Sequence, residues 1–314
     1  SSIYTTINSA NLILKHTPEI SFTNEATRNE VMANAYFLRA YCYFTLVRVF
    51  GDCPLLTSGF ESEKQEDMYP SRTAASEVYA QVETDIEEAL RLMPASSKLL
   101  HKASPAAINM LRTEYYLWKA KRLGGGNAAL STAQSSVDAV LKAGYALLPT
   151  FADIFNLNNE ANSELIWTLP YIVNENVTPG TSPNFFAYYL APNGDRTRLR
   201  EAGYTEDEVP AGSHAQYVVP TQAYCDFLAE DARDTRTDVS VRVFEDKFLT
   251  EEVQIKRMVV KFKGSFANDT RSFDSDVPVY RLAEAYLLKA EVENALGNTD
   301  AALQNLNVVA KRAY

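Results

Sequence analysis

Residues 37–56 read FLRAYCYFTLVRVFGDCPLL. From Asn29 to Phe50 apolar side chains (Val31, Met32, Tyr36, Phe37, Leu38, Tyr41, Phe44, Leu46, Val47 and Phe50) fall on nearly every face of a 3.6-residue period. That pattern predicts a helix surrounded by protein on all sides. Arg39 and Arg48 interrupt it, and no stretch of the chain reaches the roughly 20 uninterrupted apolar residues of a bilayer span. Gly51 and Pro54 end the helix, because glycine tolerates the turn-out conformation and proline cannot continue a helical ladder.

Working outward, a polar loop leads to a second helix expected from Ser71. Its apolar residues Val78, Tyr79, Val82, Ile86, Ala89 and Leu90 form one stripe until Pro94. The two helices should pack as an antiparallel pair. The plan recurs as Pro105–Leu123, the stop Gly124, Gly125 and Gly126, then Ala128–Lys142. It recurs again as Val279–Leu296, Gly297, then Asp300–Arg312. Ala290, Gly297, Ala302 and Leu306 stand where a tetratricopeptide repeat uses small or apolar residues for close helix approach, and Ala89 and Pro94 match the end of such a repeat. Each pair leaves an apolar face for its neighbour to cover. The expected fold is therefore mainly α, with tetratricopeptide-like helical pairs forming a short solenoid. It is read as one domain over residues 1–314, with pairs at about 29–94, 104–143 and 279–313. Residues 144–278 change character, with frequent turn formers and strand-like runs at Glu164–Leu169 and Val253–Phe262. They are expected to be a long irregular loop and strand insertion, a usual place for binding surfaces.

Composition narrows the function classes. With 46% hydrophobic and 11% aromatic residues the chain can bury a large core. A net charge of -10 with no basic cluster disfavours nucleic acid, and slightly disfavours strongly anionic polysaccharides. Cys42, Cys53 and Cys225 are odd in number and lack CxxC spacing, so neither a metal site nor a disulfide framework is expected. His16, His101 and His214 are scattered, no GxSxG or phosphate loop is present, and Glu87 and Glu88 sit on a polar helix face. No catalytic residue and no cofactor is predicted. NEANSE (159–164) and EDARDTRTD (230–238) are oxygen-rich but lack the carboxylate spacing and glycine of a calcium loop. The alternating Asp231, Arg233, Asp234 and Arg236 read as local ion pairs that order a turn.

The run 37–56 resembles the most recognisable segment of the SusD/RagB family, a buried aromatic helix left through Phe-Gly-x-x-Pro. Four further segments agree with that family in order: YPSRTAASEVYAQVETDIEEALRLMP (69–94), AGYALLPTFADIFNLNNEANSELIWTLPY (143–171), FLAEDARDTRTDVSV (227–241) and DVPVYRLAEAYLLKAEVENALGNTDAALQNLNVVAKRA (276–313). The resemblance implies a cell-surface lipoprotein of Bacteroidetes-type bacteria that captures glycan and delivers it to a SusC-like TonB-dependent outer-membrane transporter. It also implies an anchoring lipidated cysteine on a segment preceding Ser1, and a further helical and loop segment beyond Tyr314. The competing reading is a tetratricopeptide-type module that binds a protein or peptide and no sugar.

Sugars offer flat C–H faces edged by hydroxyls, so a glycan site calls for aromatic platforms beside hydrogen-bonding side chains. SPNFFAYYLAPNGDR (182–196) supplies Asn184, Phe185, Phe186, Tyr188, Tyr189, Asn193, Asp195 and Arg196. These aromatics either contact ligand or anchor the insertion onto the helices. Tyr69 and Phe60 occupy the loop after the first helix, where the family can place a ligand-contacting aromatic. Trp118 and Trp167 lie in apolar patterns and are read as core.

Overall fold

The computed structural model describes residues 2–62, 70–172, 219–246, 254–262, 264–267, 270–272 and 274–314. Its helices are α1 (Ser2–His16), α2 (Glu25–Phe50), α3 (Ala75–Leu92), α4 (Pro105–Arg122), α5 (Gly126–Leu141), α6 (Gln222–Ala229), α7 (Thr237–Ser240), α8 (Leu282–Ala295) and α9 (Thr299–Ala313). The strands are β1 (Leu165–Leu169), β2 (Val241–Asp246), β3 (Gln254–Val259), β4 (Ser265–Ala267), β5 (Thr270–Ser272) and β6 (Val277–Arg281). The fold is mainly α. The chain divides into two compact units, one of Ser1–Tyr145 with Tyr280–Leu306, the other of Ala146–Val279 with Asn307–Tyr314.

In the first unit α1 packs on α2, α2 on α3, α3 on α4, α4 on α5 and α5 on α8. The apolar character of α2 on all sides is explained by this placement: Phe37, Tyr43 and Phe44 are fully buried, each worth about 1.5–3 kcal/mol over exposure. Asn24 starts the helix by accepting the Ala26 N–H at 2.8 Å. Gly51 ends it at φ 65° and ψ -127°, a conformation that a Cβ strongly disfavours. Ser104 caps α4 through the Ala107 N–H at 3.1 Å, with Pro105 in the first turn. Cross-helix contacts give the direction of packing. Arg39 joins α2 to Asp85 of α3, and because Tyr115 meets Glu83 while Arg112 meets Glu87, α3 and α4 run antiparallel.

Two expected helix starts are corrected. The second helix begins at Ala75, not Ser71: Thr73 forms a backbone bridge with Cys53, and the Asp52 carboxylate then accepts the Ala75 N–H at 2.9 Å. Val279 is not helical but belongs to β6, which pairs with β1. Pro278 cannot donate to a helical ladder, and Val277 and Val279 suit a strand. The helix follows at Leu282.

In the second unit β2 and β3 form an antiparallel hairpin with Val241 opposite Val259, and β4 and β5 form a smaller one. Cys225 and Leu228 of α6 bury against Val241. Phe151, Phe155 and Phe262 form an edge-to-face row with centroids 5.3 and 5.4 Å apart. All three cysteines are buried thiols.

Candidate functional site

Tyr69, Asn184, Phe185, Phe186, Tyr188, Tyr189, Asn193, Asp195, Arg196 and His214 lie outside the described residues. Phe60 is half-buried and tied down by its backbone, whose N–H and carbonyl both bond the Asn8 side chain, at 2.7 and 3.1 Å. Trp167 is buried in β1. Trp118 corrects its core reading, because it is half-buried on α4 with its indole N–H donating to the Tyr79 hydroxyl at 3.0 Å. Glu87 is not simply solvated either. It accepts from Arg112 at 2.8 Å and from the Tyr116 hydroxyl at 3.0 Å, whereas Glu88 accepts from Arg91. The expected local pairs exist: Arg233 chelates Asp231 and Arg236 chelates Asp234, each with a closest approach of 2.6 Å. In NEANSE the oxygens meet protein donors. Asn162 accepts the Glu164 N–H, Glu160 accepts the Asp276 N–H, and Glu164 receives Arg312 and the Leu148 N–H. Among the described residues no group of three His, Cys, Asp or Glu is placed to hold a metal, and no helix is long and apolar enough to cross a membrane.

A cleft of about 750 Å³ opens among α1, α2, α3 and the strap Thr57–Gly59. Its floor is an ion pair that sequence reasoning missed. Arg39 donates to both oxygens of Asp85, Nε at 2.8 Å and Nη2 at 2.6 Å, and gives Nη1 to the Asn11 carbonyl at 2.7 Å. Both charged side chains are almost wholly buried. Burial pushes the Asp85 carboxyl up while the guanidinium and Gln81 pull it back. On Arg39 burial works against the charge but is outweighed by Asp85. The strap is held close because Asn11 donates to the Leu56 and Ser58 carbonyls, at 2.9 and 3.2 Å. A Cβ on Gly59 would meet the Leu12 backbone nitrogen at 2.9 Å, so only glycine fits there. Above the floor, half-buried Tyr36 lies 5.5 Å from the Arg39 guanidinium. Lys15, Thr57, Gln81, Thr84 and Glu88 complete the rim. An aromatic wall beside mixed donors and acceptors suits a neutral, hydroxyl-rich ligand.

A second buried charge cluster joins α4 to the start of α8. Tyr280 donates its hydroxyl to Glu114 at 2.6 Å. Burial, then the nearby Glu114 carboxylate, raises Glu284 to about 7, against a small opposing effect of Arg281. Burial likewise raises Glu114, which the Tyr280 hydroxyl and Arg48 counter. Because the folded protein favours protonated Glu284, the stability it contributes is complete below 4.5 and is lost as pH rises through about 7. Denaturant titrations from pH 5 to 8 should therefore show a decline of up to about 3 kcal/mol. Glu284→Gln should flatten it and be the more stable protein at pH 8.

Residues 1–116 match a family model described as SusD-like, "Starch-binding associating with outer membrane", and residues 244–314 match the SusD family model. A SusD-like protein of Formosa agariphila is 27% identical over 343 residues, covering 99% of this chain and 61% of its own length. Among solved structures, NanU of B. fragilis superposes with a TM-score of 0.84 at 27% identity, covering 99% of this chain and 63% of that one. A SusD superfamily protein of Bacteroides vulgatus gives 0.84 and 27%, covering 99% and 65%. The frame is thus of the tetratricopeptide-like helical kind. Both ends of the chain are similar to SusD-type family models, and the relatives it matches are SusD-like proteins. The chain spans rather less than two thirds of the length of the relatives it matches.

Proposed function

We propose that this chain is part of a cell-surface binding protein that captures glycan, performs no chemistry on it, and passes it to a SusC-like TonB-dependent transporter at the outer membrane. The observation that carries this reading is the match of residues 1–116 to a family described as starch-binding and associated with the outer membrane. The frame supports it, because the first unit offers a preformed cleft with one aromatic wall and a hydrogen-bonding rim. Attachment is through an N-terminal lipid on a segment preceding Ser1.

The aromatic run of residues 184–196, with Tyr69, remains the proposed principal contact: Phe185, Phe186, Tyr188 and Tyr189 as platforms, and Asn184, Asn193, Asp195 and Arg196 as hydrogen-bonding partners. Residues 1–314 form a single SusD-like functional domain in this proposal. Calorimetric titration with soluble oligosaccharides is expected to show saturable binding, weakened about tenfold or more by alanine at Tyr188 or Tyr189, as loss of one stacking platform of roughly 1.5 kcal/mol requires. Unchanged affinity in those variants removes the site assignment, and absence of any saturable binding removes the function.

A further inference from the structure

A second depression, of about 400 Å³, lies in the first unit at the end of α4, bordered by α2 and α8. Its wall is half-buried Trp118, whose ring meets Phe44 edge-on at 6.4 Å. A guanidinium stands beside each ring: Arg122 lies 5.7 Å from the Trp118 centroid, and Arg48 lies 4.1 Å from that of Phe44. Both arginines are exposed and neither forms a direct salt bridge among the described residues, although Arg48 lies near enough to Glu114 to counter the burial that raises its carboxyl. Arg48 spends its Nε on the Phe44 carbonyl at 3.3 Å, which leaves both terminal nitrogens free to donate.

The two acids at this depression already have partners: Glu291 pairs with Lys121, which also borders it, and Glu114 accepts the Tyr280 hydroxyl, so Arg48, Lys121 and Arg122 outnumber them. The local balance is therefore cationic on a protein whose net charge is -10. An indole face beside two exposed guanidiniums matches a ligand with a flat C–H face and a carboxylate on its edge. Guanidinium and carboxylate make parallel charge-assisted hydrogen bonds, and the sugar ring stacks on the indole.

We infer that this depression is a subsite for a uronic-acid residue of the captured glycan, with Trp118 as the stacking platform and Arg48 and Arg122 as the carboxylate clamp. The inference rests on the glycan-capture reading and narrows its substrate to carboxylated polysaccharide. Local cations override the weak repulsion expected from net charge, because screening confines distant surface charges to about 8 Å at physiological salt.

The chain contains two tryptophans, so Trp167→Phe leaves Trp118 as the sole reporter. Titrating that protein with trigalacturonate should change Trp118 emission saturably. The methyl ester of the same trisaccharide should bind at least tenfold more weakly, as should Arg48→Gln or Arg122→Gln with either partner residue intact. Calorimetry on the unsubstituted chain provides the same comparison if Trp167→Phe proves unstable. An unresponsive Trp118, equal binding of acid and ester, or an equal response to acetate or sulfate alone overturns the inference. A panel of neutral oligosaccharides run in parallel separates the two levels. Neutral binding without a trigalacturonate response sinks the subsite and leaves glycan capture standing, whereas no binding of either class sinks both.

Discussion

Replacing Asp85 with alanine is expected to lower the unfolding free energy by about 3–5 kcal/mol, the cost of leaving a buried charge without its partner. Arg39 is 5% exposed and Asp85 is completely buried, so the guanidinium has little solvent contact to offset loss of the carboxylate. The guanidinium would retain Asn11 and a weak contact to the Thr57 carbonyl, but no counter-charge. The pair itself contributes much less than that figure, since desolvating two ions offsets most of their attraction. Arg39→Met combined with Asp85→Leu should therefore recover most of the loss in the same denaturant titration. A single-variant cost below about 1 kcal/mol would show that the pair does not hold the cleft floor.

Glu164→Ala should cost a similar amount, about 3–5 kcal/mol, in the second unit. Glu164 is completely buried and Arg312 nearly so, with Nη1 to Oε2 at 2.8 Å. The same oxygen accepts the Leu148 N–H at 3.0 Å, so one substitution strands both a cation and a backbone donor. The strain falls on the last turn of α9, where Arg312 also stands 5.6 Å from the Phe151 ring. Hydrogen exchange would locate the effect: faster exchange is expected around Leu148, β1 and Lys311–Ala313. Wild-type exchange there, with unchanged stability, would refute the role given to Glu164.

Why the frame was legible follows from particular residues. α2 carries its own evidence, because a run apolar on all faces and closed by Gly51 has only one stable placement, between α1 and α3. α4 announces its start through Ser104 and Pro105. The misplaced starts share a different cause. Nothing near Ser71 in sequence reveals that Thr73 bridges to Cys53, and nothing near Val279 reveals that its strand pairs with β1. At Ser71 a non-local backbone partner overrode a locally plausible helix start, whereas at Val279 the preceding Pro278 with its flanking valines was also a local signal against one.

The site was harder to read for the same reason. Arg39 is separated from Asn11 by 28 positions and from Asp85 by 46. A signal was nevertheless present on each side, a charged residue embedded in the apolar α2 and another on the apolar stripe of α3 between Val82, Ile86 and Ala89. Two opposite charges on facing apolar surfaces are expected to pair, because neither is tolerated there alone. Trp118 shares a face with Leu111 and Tyr115, which suggested the core. Its position near the end of α4, beside Arg122, leaves one side open instead.

The central claim is capture of glycan without chemical change, and migration in native gels cast with a panel of neutral and carboxylated polysaccharides tests it most directly, with the chain length of the bound glycan measured after recovery. The account predicts retardation by at least one polysaccharide, with its length unaltered. Unretarded migration across the panel, or shortening of the recovered glycan, would contradict it.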